Sequence, residues 1–156
     1  MKIIILSDTH RYNYIFDKLK NIIKDADVLI HLGDNVQDVE ELTMGFEGKV
    51  FNVRGNCDYN TRIPSEELIE LEGQAIFITH GHYYGVKHSL LNLKTKAAEI
   101  GANIVLYGHT HISEIVFEEG VWIVNPGSPS LARDGFNSYA IITIENGRIC
   151  PSIKSL

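Results

Sequence analysis

The sequence predicts an α/β sandwich, two sheets packed face to face with helices on the outside. Three observations carry this expectation. Continuous apolar runs alternate with helical periodicity in the first half of the chain. Hairpin signals recur in the second half. Strands that alternate with helices join by right-handed crossovers, which make that part of a sheet parallel.

Each element follows in chain order. Lys2–Leu6 is an apolar run of the kind expected for a strand buried on both faces. In Tyr14–Lys24, Ile15, Leu19, Ile22 and Ile23 suit one helical face, with Asn13 as its cap. Val28–Leu32 is a second buried strand, Gln37–Met44 a helix with Val39 and Leu42 inward, and Val50–Val53 a third strand. Glu67–Leu71 and Ala75–Thr79 flank Glu72-Gly73-Gln74 as a hairpin. Ser89–Ile100 reads as a helix with Leu90, Leu93, Ala97 and Ile100 on one stripe and Gly101 as its stop. Ile104–Tyr107 is another buried strand. Ile112–Phe117 and Val121–Val124 pair around Glu118-Glu119-Gly120. Ser138–Ile144 and Arg148–Ile153 pair around Asn146-Gly147, which suits a type I′ turn. Pro151 cannot donate to a ladder, so the last strand belongs at an edge.

The 156 residues fit one domain, 1–156, with a single core and no need of staples. A formal net charge of −6 argues against a general nucleic-acid binder. It does not exclude a phosphorylated substrate, because bound metals set the local field. Cys57 and Cys150 form no CxxC and no secretory framework. The apolar start, Met1–Leu6, is too short for a signal peptide or a membrane span. The expectation is a cytoplasmic protein with no membrane partner and no disulfide. Edge strands and apolar faces leave room for a homo-oligomer.

Five short motifs carry the chemistry: Asp8-Thr9-His10, Gly33-Asp34-Asn35, Gly55-Asn56-Cys57-Asp58, Thr79-His80-Gly81-His82 and Gly108-His109-Thr110-His111. Each follows an expected strand, and ligands of open α/β sheets bind outside the carboxyl ends of strands. Asp8 and His10 are two residues apart, so extended backbone turns both to one side; His109 and His111 share that spacing. Carboxylate, amide oxygen and imidazole without thiolate suit Mn²⁺, Fe²⁺, Ni²⁺, Co²⁺ or Zn²⁺, and do not suit a Cys-rich structural zinc site. Two metals roughly 3.5–4 Å apart polarise one phosphoryl group and generate a hydroxide nucleophile. Two divalent ions outweigh the charges of Asp8 and Asp34, so the site attracts phosphate inside an acidic protein.

In these motifs, from Asp8 to His111 in order, the chain resembles the calcineurin-like metallophosphoesterase superfamily, and within it the small YfcE-like phosphodiesterase branch. The resemblance implies a four-layer α/β/β/α sandwich with mixed sheets. It implies two divalent metal ions, with Mn²⁺ ranked first. Asp8, His10 and His111 would bind one metal, Asn56, His80 and His109 the other, and Asp34 would bridge them. It further implies in-line attack by a metal-bridging hydroxide without a covalent intermediate. Many relatives carry His after the motif Asn, paired with an acid; here Cys57 stands there and Asp58 remains. A thiol with a pKa near 8.5 is a poor general acid, so activated, small phosphodiesters are the expected substrates.

The catalytic set on this reading is Asp34, Asn56, Asp58 and Arg54. Arg54 either meets phosphate through its guanidinium fork or is a plain surface residue. Arg11 has a weaker claim on the pocket. Tyr83 and Tyr84 either wall a pocket or simply pack. His82 is a substrate contact, a ligand-orienting residue or a bland loop histidine; His31 is expected in the core and His88 in solvent. Asn125–Pro129 reads as a rigid loop supporting the site. A phosphomonoesterase or a nucleotide pyrophosphohydrolase would use the same metal core, and the same fold also serves as a non-catalytic scaffold module.

Overall fold

The computed structural model describes residues 1–156, the side chain of Asn13 excepted. The expected Asn13 cap therefore lies outside the described residues. Five strands form the first sheet: β1 (Lys2–Leu6), β2 (Val28–His31), β3 (Lys49–Asn52), β9 (Ser138–Glu145) and β10 (Arg148–Ser155). Their order is β10-β9-β1-β2-β3. β1 pairs in parallel with β2, and β2 with β3, while β9 runs antiparallel to β1. The second sheet holds β4 (Glu66–Leu71), β5 (Gln74–Thr79), β6 (Ile104–Leu106), β7 (Ser113–Glu118) and β8 (Val121–Pro126). Its order is β4-β5-β6-β8-β7, parallel through β5, β6 and β8, with antiparallel edges. Both sheets are mixed, as expected.

Strand periodicity explains the layers. Successive side chains point to opposite faces. Ile3, Ile5, Val28 and Ile30 meet Ile76, Ile78, Ile104, Leu106 and Val124 between the sheets. Ile4, Leu6 and Leu29 point the other way, against Phe16, Leu19 and Ile23 of α1 (Phe16–Ile23) and Leu42 of α2 (Asp38–Leu42). On the far side, Phe77, Val105 and Ile123 pack against Leu93 and Ala97 of α3 (Leu91–Ile100). The four-layer α/β/β/α sandwich follows directly. Each buried aliphatic side chain in these layers contributes roughly 1.5–3 kcal/mol.

Differences are confined to element ends. The first helix opens with a 3₁₀ turn over Asn13–Ile15 and becomes α-helical at Phe16. α3 starts at Leu91, whose N–H is accepted by Ser89 Oγ at 3.1 Å. Gly101 ends it in the left-handed region at φ 68°, its N–H reaching Ala97 O. The Asn146-Gly147 turn has φ of 51° and 78°, as a type I′ turn requires. β10 is an edge strand, which accommodates Pro151.

Candidate metal centre

The loops after β1, β2, β3, β5 and β6 converge at one end of the sandwich. Their backbone is unusual. Asp8, His10, Asp34, His109 and His111 all have positive φ, between 50° and 69°. Asp and His enter the left-handed region more readily than bulky residues, yet such geometry persists only when neighbours hold it. Asp8 N donates to Gly33 O at 2.9 Å, and Asp8 O accepts the Ser128 hydroxyl at 2.8 Å. The Asn125–Pro129 loop thus supports the site as expected. Asp58 clamps the next two loops: its carboxylate accepts the N–H groups of Asp34 (2.9 Å), Asn35 (2.8 Å), Val36 (3.0 Å) and Gly55 (2.7 Å).

Two motif glycines answer to crowding. A Cβ on Gly55 would sit 2.1 Å from Asp34 Oδ1. One on Gly108 would sit 1.9 Å from Ser7 Oγ and 2.9 Å from Asp8 Oδ2. Both lie where a neighbouring loop needs to bring a carboxylate against the backbone.

The side chains form two adjoining clusters. In one, His111 Nε2 lies 3.1 Å from Asp8 Oδ1 and 3.3 Å from His10 Nε2. In the other, His80 Nε2 lies 3.1 Å from Asn56 Oδ1, 3.2 Å from His109 Nδ1 and 3.5 Å from Asp34 Oδ2. Asp34 Oδ2 is also 3.9 Å from His10 Nε2, so it faces both clusters. The ligating atoms of Asp8, His10 and His111 lie within 4.8 Å of one another, and so do those of Asp34, His80 and His109.

The protons show what this donor set fits. His80 Nδ1 faces Leu32 O at 2.8 Å, and His111 Nδ1 faces Leu131 O at 2.8 Å. A carbonyl only accepts, so each Nδ1 carries the proton and each Nε2 presents a lone pair. Those bare nitrogens point at carboxylate and amide oxygens. Asp8 Oδ1 is buried and has no hydrogen-bond donor among the described residues. Leaving a buried carboxylate oxygen unsatisfied costs free energy. Converging lone pairs with backbone-oriented imidazoles fit divalent cations, and the backbone carbonyls serve as the outer partners that metal-binding histidines usually have.

Electrostatics agree. Burial alone would raise the Asp8 carboxyl, but its contact with His111 and the charges of His80 and His111 hold it at about 2. Burial, His80 and Lys87 push His109 down to about 4. His111 moves up, chiefly through Asp8, so a cation there competes with a proton. Burial, with Asp34 next, pushes the Cys57 thiol up to about 11.

Other positions sort as follows. Arg54 is half-buried, its N–H bonded to Pro64 O, and its charge acts on His82. Asp58, expected to be catalytic, has its carboxylate taken up by the backbone N–H groups of Asp34, Asn35, Val36 and Gly55, an arrangement that positions loops. Arg11 turns away to Gln37 Oε1. His82 stacks on Tyr83 at 4.0 Å between centroids and lies 5.3 Å from His80, while Tyr84 packs edge-on to Phe77 and donates to Glu66. His88 is exposed. His31 is fully buried and accepts Gly33 N–H on Nδ1, so its Nε2–H faces Thr9 Oγ1 at 3.2 Å. Thr9 in turn donates to Asp38 at 2.6 Å, and Asp38 also accepts Arg11 N–H at 3.0 Å. This relay fixes the Asp8–His10 loop. Sequence reasoning missed Asp38, because it sits in an ordinary helical stretch with no motif to mark it.

Comparison with known proteins bears on this geometry. Residues 1–147 match the calcineurin-like phosphoesterase superfamily domain. The chain is 36% identical to the probable metallophosphoesterase YsnB of Bacillus subtilis, over 94% of this chain and 86% of that protein. It is 34% identical to the phosphodiesterase MJ0936 of Methanocaldococcus jannaschii, over 93% and 94% of the respective chains. Among solved structures, a predicted phosphoesterase of Streptococcus pneumoniae superposes with a TM-score of 0.85 at 28% identity, covering 99% of this chain and 88% of that one.

Proposed function

This chain belongs to the calcineurin-like phosphoesterase superfamily, as a metal-dependent phosphoric ester hydrolase, and from that premise we propose that it is a two-metal phosphodiesterase acting on small, activated diesters. The observation that carries the reading is the buried Asp8 Oδ1, unpaired among imidazole nitrogens whose protons point elsewhere. Asp8, His10 and His111 would hold one ion, Asn56, His80 and His109 the other, with Asp34 shared between them. Two divalent cations there supply Lewis acidity and a water nucleophile at neutral pH. Oxygen and imidazole donors suit Mn²⁺, Fe²⁺, Ni²⁺, Co²⁺ or Zn²⁺ alike, and the family resemblance puts Mn²⁺ first.

The protein's own residues do the rest. Leu32 O and Leu131 O orient the imidazoles of His80 and His111. The Asp58 clamp sets Asp34 beside Asn56. Arg54, next to His82, offers a guanidinium to phosphate oxygens. Cys57, its thiol held near 11, gives a leaving group little acid assistance at neutral pH. Good leaving groups are then favoured, and diesters with a phenolate or similar arm fit best. The archaeal relative named a phosphodiesterase supports a diester as substrate. Among the described residues no helix is long and apolar enough to cross a membrane.

A panel of bis-p-nitrophenyl phosphate, p-nitrophenyl phosphate and a dinucleoside polyphosphate, on Mn²⁺-loaded protein, tests the proposal. Faster turnover of the diester is expected. Exclusive turnover of the monoester would replace the diesterase reading with a phosphomonoesterase.

A further inference from the structure

Beside the metal centre lies an open cavity of about 500 Å³, within the range of small-molecule sites. Its floor is the segment that carries His109 and His111: Tyr107, Thr110, Ile112 and Glu114 line it. Val86 and Leu90 form an apolar wall, and Lys87 and Arg133 stand at the rim. The cavity and the metal centre are therefore two sides of one loop.

The two cations are placed rather than incidental. Val86 is buried in the α3 layer, which anchors the backbone on one side of Lys87. Arg133 N–H donates to His111 O at 2.9 Å. The next residue, Asp134, accepts the N–H and hydroxyl of Ser113 at 2.7 Å and 2.6 Å, pinning the Arg133 turn onto β7. Among the described residues, the lysines in ion pairs with carboxylates are Lys20, Lys94 and Lys96, and neither Lys87 nor Arg133 is paired. The lone acid of the cavity, Glu114, already accepts the Tyr107 hydroxyl at 2.5 Å. An acidic protein thus keeps two unpaired cations facing an apolar-walled cavity next to its candidate metals.

We propose that Lys87 and Arg133 form a second anion subsite, which selects phosphodiesters whose organic arm carries an additional phosphate. The metals and Arg54 would hold the scissile phosphate, the walls of Val86, Leu90 and Ile112 the organic body, and Lys87 with Arg133 the second anion. This rests on the phosphodiesterase reading above and names its substrate class: nucleotide-like diesters with two phosphate groups.

The test is a matched pair, the p-nitrophenyl phosphodiester of thymidine with and without a second phosphate on its sugar, assayed on metal-loaded protein. The doubly phosphorylated substrate is expected to show kcat/KM higher by about tenfold or more, as a charge-assisted contact warrants. In the Lys87→Gln/Arg133→Gln double variant that ratio should fall to about one. Lys24→Gln, an exposed lysine remote from the cavity, should keep it, which separates a subsite from overall charge. A ratio near one in the native protein, or an undiminished ratio in the double variant, overturns the subsite. If neither diester is cleaved, the phosphodiesterase reading fails instead. The subsite is then read by calorimetry with thymidine monophosphate and bisphosphate: equal affinities overturn it, and a bisphosphate preference lost in the double variant supports it.

Discussion

Asp8 Oδ1 and His111 Nε2 lie 3.1 Å apart, and neither has a proton to share once His111 Nδ1 has committed its own to Leu131 O. Without a cation the pair is relieved only by protonating His111, which is the direction its pKa moves. A divalent cation should therefore stabilise the fold. Mn²⁺ at about a hundred times its dissociation constant should add about 2.7 kcal/mol, seen as a rise in Tm of roughly 5–10 °C for a chain of this size. Asp8→Asn should lose most of that rise, while its metal-free Tm falls by less, because without metal the variant gives up only the contacts of the charge with His111 and His80. A metal-free Tm that falls as far as the metal-loaded one would point to a purely structural Asp8.

Asp58 accepts four backbone N–H groups from two loops. Hydrogen bonds to a charged group are each worth about 1.5–3 kcal/mol, and orphaned amides add to the loss. Asp58→Ala should destabilise by about 3 kcal/mol or more and weaken metal binding. The pH profile of the residual activity should keep its shape, which a lost general acid would not allow.

Gly108 leaves no space for a side chain against Ser7 and Asp8. Gly108→Ala forces those groups apart, at the roughly 1–3 kcal/mol typical of overpacking. Metal affinity should fall along with stability, because the displaced oxygen belongs to Asp8. Calorimetric metal titration of the folded variant measures this; unchanged affinity would mean the loop relaxes without moving the carboxylate.

His31 supplies a pH signature. Burial drives it from 6.5 to about 4 in the folded chain. As pH falls below 6.5 the unfolded chain takes up this proton first, so stability drops. The loss is complete near pH 4, where the folded form is protonated too. The slope approaches one proton, and the total is about 3 kcal/mol. Urea unfolding between pH 7 and pH 4 should show it, and His31→Asn should flatten the slope over that window. His109 moves down to about 4 as well, so the His31 contribution is read as the difference between the native chain and His31→Asn; Asp8 titrates lower, toward about 2.

Much of this is legible in the sequence. Alternating burial made Ile3–Leu6 and Val28–Ile30 recognisable strands, because pattern and environment coincide there. The motif residues Asp8, His10, Asp34, Asn56, His80, His109 and His111 announced themselves by residue type and by position after strands. What escaped depends on contacts between distant segments. Asp58 looks like an acid beside a motif, and only three-dimensional pairing shows its oxygens consumed by amides. The Asp38–Thr9–His31 relay joins three elements with no local pattern. Lys87 and Arg133 are 46 positions apart along the chain and meet only across the loop that bears His109 and His111.

The proposed two-metal centre rests on Asp34, whose Oδ2 faces both clusters. Equilibrium dialysis against Mn²⁺, followed by elemental analysis, tests it most directly. The native chain should bind two ions per molecule, and a folded Asp34→Asn variant should lose at least one of them together with diester hydrolysis. A folded native protein that binds no divalent ion, or an Asp34→Asn variant that keeps both ions and full activity, would contradict the account.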